Sequence, residues 1–184
     1  LDLKVVGPGN TTYYPNNAGQ PGERMTYDDG SYGGGYISSV LSRIAVRFTP
    51  TSYPATLDAG LFYVWSESGT YPKEFTWYVY DGNGTTGPDT VLTSGTTKLV
   101  GPGWHAVDLA DAGVTISSGD FFLGVELPDN DLGWAYDDTT PVDGRSWNYD
   151  GSWSNWTDND YMFNVIVRDD DPAVKQDRVN NLVG

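Results

Sequence analysis

Residues 74–80 read Glu-Phe-Thr-Trp-Tyr-Val-Tyr, a stretch in which large apolar side chains occupy every second position. Successive side chains of an extended strand point to opposite faces, so Phe75, Trp77 and Val79 fall on one face and the residues between them on the other. The same period of two recurs at short intervals, in residues 43–48, 57–65, 98–100, 104–109, 114–116, 120–126, 132–136 and 161–168. This repetition predicts a protein made almost entirely of β-strands.

Turn-forming residues separate these segments, as in residues 81–84 (Asp-Gly-Asn-Gly) and 101–103 (Gly-Pro-Gly). Many short strands joined by tight turns favour a single antiparallel β-sandwich of jelly-roll-like topology. The organisation that we expect is an N-terminal strand and flexible loop region over residues 1–26, a sandwich domain over 27–171, and a short C-terminal tail over 172–184.

The composition restricts the classes of partner. The chain has 184 residues, which suits one domain, and its 25 acidic and 10 basic residues give a net charge of −15. Such a surface would repel a phosphate backbone, so we expect no nucleic-acid partner. No apolar run reaches the length of a membrane-spanning helix, so we expect no membrane insertion. The chain has no cysteine, which excludes disulfides and thiolate metal sites.

Several short motifs are spread over most of the chain: Asp28-Asp29-Gly30, residues 45–50 and 52–55, Gly103-Trp104, Val107-Asp108-Leu109, residues 118–122, Gly144-Arg145-Ser146-Trp147, Tyr149 and Ser152-Trp153. With these motifs, the chain from about residue 27 to residue 171 resembles an ancillary β-sandwich domain of large secreted bacterial proteins, often found behind peptidase or other hydrolase domains. The resemblance implies a jelly-roll-like fold, a secreted, extracellular location and no catalytic residues. His105 departs from the pattern, which has a larger aromatic or apolar residue there.

Catalytic chemistry has little support among the residues themselves. His105 is the only histidine, and it shares a strand face with Val107 and Leu109, as a packed or edge residue does. A serine hydrolase needs a base beside a nucleophile and an orienting carboxylate, and the sequence has no Gly-x-Ser-x-Gly elbow. No pair of carboxylates stands out for glycoside hydrolysis. We therefore expect that this protein is not an enzyme.

Calcium is the cofactor that the acidic loops suggest, because carboxylate and carbonyl oxygens in flexible loops are its preferred ligands. The Gly-rich loop over residues 81–89 carries oxygen donors at alternate positions, although a hairpin turn explains this loop equally well. Pairs of adjacent aspartates occur elsewhere in the chain. The candidate ligands are Asp28, Asp29, Asp81, Asn83, Asp89, Asp137 and Asp138.

A group of aromatic residues interleaved with amides and carboxylates is the most suggestive feature for ligand binding. Flat rings can stack on the C–H faces of a sugar while polar neighbours bind its hydroxyl groups. The alternative is that these rings are packed inside the sandwich. The residues of this candidate glycan platform are Trp134, Tyr136, Trp147, Tyr149, Trp153 and Trp156.

Two functions remain open, and the sequence favours the first over the second. The first is a non-catalytic extracellular structural or adhesive subunit that binds copies of itself, with calcium assisting, to form a filament, tube or surface layer. The alternating residues Leu1, Leu3 and Val5 predict a short strand on a long tether, which could add to the sheet edge of a neighbour or complete its own sandwich. The second function is a carbohydrate-binding module of a secreted hydrolase.

Overall fold

The computed structural model describes residues 22–36, 41–65, 71–127 and 132–169, together with the backbone of residues 5–6 and 12–13. In these ranges one turn of 3-10 helix, Ala110–Ala112, is present, and no helix is long and apolar enough to cross a membrane. The strands are β1 (Val5–Val6), β2 (Thr12–Tyr13), β3 (Glu23–Met25), β4 (Gly34–Tyr36), β5 (Arg43–Phe48), β6 (Ala55–Trp65), β7 (Lys73–Asn83), β8 (Gly87–Leu99), β9 (Gly103–Asp108), β10 (Thr115–Ile116), β11 (Asp120–Glu126), β12 (Gly133–Asp137), β13 (Ser146–Tyr149), β14 (Trp153–Trp156), β15 (Asp160–Tyr161) and β16 (Phe163–Asp169).

Strands β3 to β16 form two antiparallel sheets that pack against each other. One sheet has six strands in the order β14-β13-β5-β11-β7-β8. The other has eight strands: its path is β15-β12-β6-β16-β3, while β9 and β10 pair with β6 and β4 pairs with β12. Residues of both sheets belong to one buried apolar cluster. The predicted all-β sandwich is therefore confirmed.

The core between the sheets is built from alternate residues of the long strands. Phe75, Trp77 and Val79 of β7 are buried, as their alternation predicts. From the opposite sheet, the ring centroid of Phe62 lies 5.5 Å from that of Phe75 and 5.0 Å from that of Phe163. Burial of such a ring contributes roughly 1.5–3 kcal/mol. This core decides which face of each strand is left on the outside.

Strand β6 departs from the simple alternation at one point. The sequence pattern places Leu57 and Trp65 on the same face. However, consecutive residues of β16 lie opposite Leu57 and Ala59, so Asp58 is an extra residue in β6. A bulge of this kind reverses the faces on either side of it. Leu57 is consequently buried in the core, whereas Trp65 is half-buried on the outer side.

The N-terminal region contains more strands than the sequence predicts. Val5 lies in β1, which pairs with β2 in a separate two-stranded sheet, and Leu1 and Leu3 lie outside the described residues, as does the tail over 172–184. Strands β3 and β4 join the eight-stranded sheet, although the sequence predicts a flexible loop region where β3 lies, within residues 1–26, and indicates no strand at β4. Their sequences, Glu-Arg-Met and Gly-Gly-Tyr, are too short to show a period of two.

Candidate functional site

The outer face of the six-stranded sheet carries large side chains that the main core does not use. Trp147 of β13 lies opposite Ala45 of β5, Ala45 lies opposite Gly124 of β11, and Gly124 lies opposite Tyr78 of β7. Directly opposite residues point to the same face of a sheet. Because the residues before and after Ala45 belong to the main core, this row of two large and two small residues lies on the outside.

A small second core covers the middle of this outer face. Ala45, Tyr80, Phe122 and Trp147 are buried there together. The rings of Phe122 and Trp147 meet edge to face at a centroid distance of 6.0 Å, and those of Tyr80 and Trp153 meet at 5.7 Å. The buried Tyr80 hydroxyl and Trp147 indole N–H make no hydrogen bond of ordinary geometry with any described group. Contacts between apolar surfaces therefore hold this cluster together.

The sheet is curled toward the same face. Strands β8 and β14 stand at opposite ends of the strand order, yet Gly87 at the start of β8 packs against β13 and β14. A Cβ added to Gly87 would stand 2.6 Å from Trp147 Cε3 and 3.2 Å from Trp153 Cβ. Gly87 also has a φ of 81°, which residues with a side chain rarely adopt. Glycine at this position lets the two edges approach, and the outer face becomes concave.

The accessible part of this concave surface is lined by five half-buried residues, which we name the outer aromatic face: Arg43, Tyr78, Glu126, Tyr149 and Trp153. The ring centroids of Tyr149 and Trp153 are 5.1 Å apart. The guanidinium carbon of Arg43 lies 4.8 Å from the ring centre of Tyr78 and 5.9 Å from that of Tyr149. Tyr78 donates its hydroxyl proton to Glu126 Oε2 at 2.7 Å. Flat apolar rings and fixed polar groups are thus combined on one surface.

The charges of the outer aromatic face are fixed near neutral pH. Burial raises the pKa of Tyr80 to about 12, and burial together with the hydrogen bond to Glu126 raises the pKa of Tyr78. Partial burial on its own would lower the pKa of Arg43, but the neighbouring Tyr80, Tyr78 and Glu126 raise it overall. Both phenols therefore stay neutral while the guanidinium stays charged.

The fold separates the six residues of the predicted glycan platform. Trp134 is fully buried in the main core. Trp147 is buried in the second core. Tyr136 and Trp156 are half-buried against the main core, with their ring centroids 5.7 Å apart. Tyr149 and Trp153 alone among the six lie half-buried on the concave outer face, where a ligand could reach them.

Sequence analysis missed three residues of this face: Arg43, Tyr78 and Glu126. Each alternates with residues of the main core along its own strand, so its outward direction could have been predicted. Their mutual proximity could not, because it depends on the register in which β13, β5, β11 and β7 pair.

The two aspartate pairs of the calcium prediction meet in one place. The backbone N–H of Asp29 donates to Asp137 Oδ2 at 2.8 Å. The Thr139 hydroxyl oxygen lies 2.6 Å from Asp137 Oδ1 and 2.9 Å from Asp29 Oδ2, and the two carboxylates share its single proton. Hydrogen bonds from the backbone and side chain of Ser31, and then from Thr139, lower the pKa of Asp29 to about 2. Donors of the protein itself therefore satisfy these carboxylates.

The neighbouring members of those pairs differ in environment. Asp28 is buried and accepts a hydrogen bond from Asn164 Nδ2 at 2.6 Å, and burial raises its pKa. Asp138 is exposed. No group of three or more acidic or histidine side chains in the described ranges is arranged to hold a metal ion.

The remaining calcium candidates lie in the hairpin between β7 and β8. Asn83 Oδ1 accepts the backbone N–H groups of Thr85 at 2.8 Å and Thr86 at 3.0 Å. This is the usual role of an asparagine in a turn. Asp81 and Asp89 are exposed in the same hairpin. The structure thus gives this loop a turn-forming role.

Asp160 of β15, which sequence analysis did not select, is the carboxylate most affected by its surroundings. It is only 4% exposed. Its Oδ2 accepts the backbone N–H of Asp143 at 3.3 Å, while its Oδ1 has no partner among the described groups. Burial, followed by the nearby Asp143 carboxylate and the charge of Asp137, raises the pKa of Asp160 to about 7.

His105 of β9 has the surroundings of a structural residue. Its Nε2 lies 2.6 Å from the backbone oxygen of Gly101, which is four residues earlier in the chain. Burial lowers the pKa of His105, and the bond to Gly101 opposes this shift only in part. A neutral imidazole hydrogen-bonded within its own turn is consistent with packing.

A second aromatic surface lies on the outside of the eight-stranded sheet. The guanidinium carbon of Arg24 is 5.3 Å from the ring centre of Trp104, and its Nε donates to Asn164 Oδ1 at 2.7 Å. The Tyr63 ring meets Trp104 edge to face at 5.3 Å. Tyr32, which is 46% exposed, lies 6.1 Å from Tyr63 between ring centroids. Arg24, like Arg43, lies over an aromatic ring, but it is already hydrogen-bonded to the Asn164 amide. A substitution of Arg24 is therefore a control for the same substitution of Arg43.

Comparisons with known proteins give structural neighbours and no family. No protein-family model and no curated protein sequence matches the chain. A structure of the clostridial cysteine protease Cwp84 after propeptide cleavage is similar with a TM-score of 0.57 and 16% sequence identity, covering 79% of this chain and 40% of that one. A structure of the cysteine protease and lectin-like domains of Cwp84, a surface layer associated protein of Clostridium difficile, has a TM-score of 0.53 at 16% identity, with coverage of 71% and 32%.

This likeness shows the fold alone, because the identity is low. The chain spans 40% or less of the length of either neighbour.

Proposed function

We propose that this chain is a non-catalytic, extracellular carbohydrate-binding module whose ligand lies on the outer aromatic face. The observation that carries the proposal is the position of Tyr78, Tyr149 and Trp153. These rings stand half-exposed on a concave sheet face, while Trp77 and Val79, the neighbours of Tyr78 in β7, lie in the main core. Rings held in this way can stack on the apolar faces of sugars, and Arg43 and Glu126 can bind the hydroxyl groups.

The neighbouring structures support this proposal by analogy. One of them is described as containing lectin-like domains in a surface layer associated protein. A module that binds glycans outside the cell would have the same kind of role, and it would need no catalytic group. The surroundings of His105, hydrogen-bonded to the backbone of Gly101, agree with a scaffold role for the single histidine.

Binding to an array of polysaccharides and oligosaccharides tests the proposal. Tyr149→Ala removes a ring at the rim of the concave face, and loss of one aromatic contact of about 1.5 kcal/mol weakens binding roughly tenfold. Tyr32→Ala is the matched control, because it removes an exposed ring from the opposite sheet. Absence of any glycan ligand, or equal losses in both variants, would contradict the proposal.

Self-association is a second proposal, and one feature of the six-stranded sheet favours it. Strand β8 has 13 residues and forms an edge of that sheet in the described part of the chain. It exposes Val91 by 45% and Leu92 by 41%. An edge strand of this length is a template for strand addition, and a tethered strand at Leu1 to Val5 could supply the partner, with calcium bridging the acidic surfaces.

Electron microscopy and light scattering of the full chain and of a variant lacking residues 1–6 test self-association. A folded, monomeric deletion variant beside an assembled parent supports exchange of the N-terminal strand. Monomers in both samples, with or without calcium, would exclude it.

A further inference from the structure

The position of Arg43 on the outer aromatic face carries information about the ligand. Its guanidinium lies over the rings of Tyr78 and Tyr149, at 4.8 Å and 5.9 Å from their centres. A guanidinium that lies over rings keeps its in-plane N–H donors available for acceptors. The Arg43 guanidinium interacts with the Tyr80 hydroxyl, and its remaining donors can bind a ligand. Those donors form a planar fork that matches a carboxylate.

The Glu126 carboxylate acts on Arg43 through its charge, but one of its two oxygens binds another group. Glu126 lies directly opposite Arg43 in the β5–β11 pairing. Its Oε2, however, accepts the hydroxyl proton of Tyr78 at 2.7 Å, and Arg43 makes no ion pair within 4 Å with any carboxylate of the described residues. In contrast, Arg168 bonds directly to Asp58, and Arg145 pairs with Asp143.

Among the described residues Arg43 has no ion pair within 4 Å, as is also true of Arg24, although acidic residues outnumber basic ones by 25 to 10. The outer aromatic face thus presents the guanidinium of Arg43, with the Glu126 carboxylate opposite it in the strand pairing, beside two rings that can stack on a sugar. We infer that this face binds a glycan containing a uronic acid, with the sugar carboxylate on the guanidinium of Arg43 and the sugar ring on Tyr149 and Trp153. This inference rests on the proposed function and specifies its ligand class.

The net charge of −15 sets a limit on that ligand. Charges more than about 8 Å apart are largely screened at physiological salt, so an isolated carboxylate can reach Arg43 without strong repulsion from the rest of the surface. A densely sulfated polymer would bring many further charges close to Glu126 and to the other carboxylates. The structure thus favours glycans with separated carboxylates over sulfated or phosphorylated polyanions.

Isothermal titration calorimetry with matched ligands tests the inference. The probes are oligosaccharides that carry one galacturonic, glucuronic or mannuronic acid between neutral sugars, each beside its methyl ester, which keeps the sugar and loses the charge. A charge-assisted hydrogen bond is worth about 1.5–3 kcal/mol, so we expect at least one acid to bind the parent protein roughly tenfold or more tightly than its ester. Heparin should neither bind nor compete at physiological salt.

Variants of Arg43 distinguish the contribution of its positive charge from that of the planar shape of its guanidinium group. Arg43→Gln should abolish the preference for the acid, with a much larger loss of affinity for the acid than for the ester, and Arg43→Lys should recover only part of the preference, because a lysine lacks the planar fork. Arg24→Gln is the matched control and should keep the full preference. Thermal melting confirms that each variant is folded.

The possible outcomes distinguish the inference from the proposed function. Acids and esters bound equally, with Tyr149→Ala weakening both, would overturn the inference and leave carbohydrate binding intact. Binding of neutral glycans alone would likewise overturn the inference of a uronic acid ligand and leave carbohydrate binding intact. A preference for the acid that survives in Arg43→Gln would show that another group binds the carboxylate, and a lack of any sugar ligand would overturn both proposals.

Discussion

Replacement of Asp160 by asparagine should change how the stability of this protein depends on pH. The carboxylate is 4% exposed, and its Oδ1 has no partner among the described groups. Its pKa is raised from 3.8 to about 7, by burial first and then by Asp143 and Asp137. Because the folded pKa lies above the unfolded one, the folded state binds the proton more tightly between these two values. Stability is therefore lost as the pH rises from about 4 to about 7.

The size of this effect follows from the shift in pKa. Each unit corresponds to about 1.4 kcal/mol, so the rise of Asp160 from 3.8 to about 7 corresponds to an upper limit of about 4 kcal/mol. Water that enters the site on ionisation would reduce it. In a domain of this size 1 kcal/mol changes Tm by roughly 2–4 °C, so a loss of several degrees is expected in the parent protein between pH 4 and pH 8.

The amide that replaces the carboxyl in Asp160→Asn cannot ionise, but its oxygen can still accept the backbone N–H of Asp143. This variant should therefore match the parent at pH 4 and melt several degrees higher at pH 8. Asp111→Asn, which alters an exposed aspartate of the 3-10 helix, is the control and should follow the parent curve. The measurement is differential scanning calorimetry at half-unit steps of pH with EDTA present. Parallel curves for Asp160→Asn and the parent would refute the reasoning.

Three further predictions concern calcium, the histidine and the curl of the sheet. If calcium binds the folded state, its removal with EDTA lowers Tm by mass action. An unchanged melting curve, together with no metal in elemental analysis, would contradict the prediction of calcium binding. His105→Phe should leave folding and any native activity intact, because the imidazole bonds only to the backbone of Gly101 among the described groups; loss of a hydrolytic activity in a folded variant would contradict the non-catalytic proposal. Gly87→Ala should lower the free energy of unfolding by about 1–3 kcal/mol, because the position has a positive φ and lies against Trp147. A urea titration that shows no change would mean that the approach of the two sheet edges does not require glycine at this position.

The sandwich could be predicted because its core residues alternate within single strands. The bounds of β5 and β11 agree with the segments 43–48 and 120–126 that the period of two indicates. Strand β8 shows the limit of that signal. It is rich in threonine, serine and glycine, and most of its residues are exposed or half-buried at the edge of the sheet. No alternation of apolar and polar residues therefore indicates this strand in the sequence. Its pairing with β7 also shifts register, which interrupts the alternation.

The candidate site could be predicted only in part, because nearness in the sequence is not nearness in the sandwich. The aromatic residues between 134 and 156 look like one group, but β12 belongs to one sheet while β13 and β14 belong to the other. Trp134 is consequently in the main core, and Tyr149 is on an outer face. Conversely, Tyr78 is far from Tyr149 in sequence and reaches the same guanidinium through the register of four strands.

The second core gives the outer aromatic face its rigidity. Burial of the Trp147 indole N–H without a hydrogen-bond partner costs about 1–3 kcal/mol, which a sheet face with no further role could avoid by carrying small polar residues. Tyr80, which belongs to the same second core, stacks against Tyr78 at 5.4 Å and contacts Trp153 at 5.7 Å between ring centroids. Two rings of the candidate site are thereby held in place before any ligand arrives. A ligand that binds such a preorganised surface loses less affinity to the ordering of side chains, which is why we assign binding to this face.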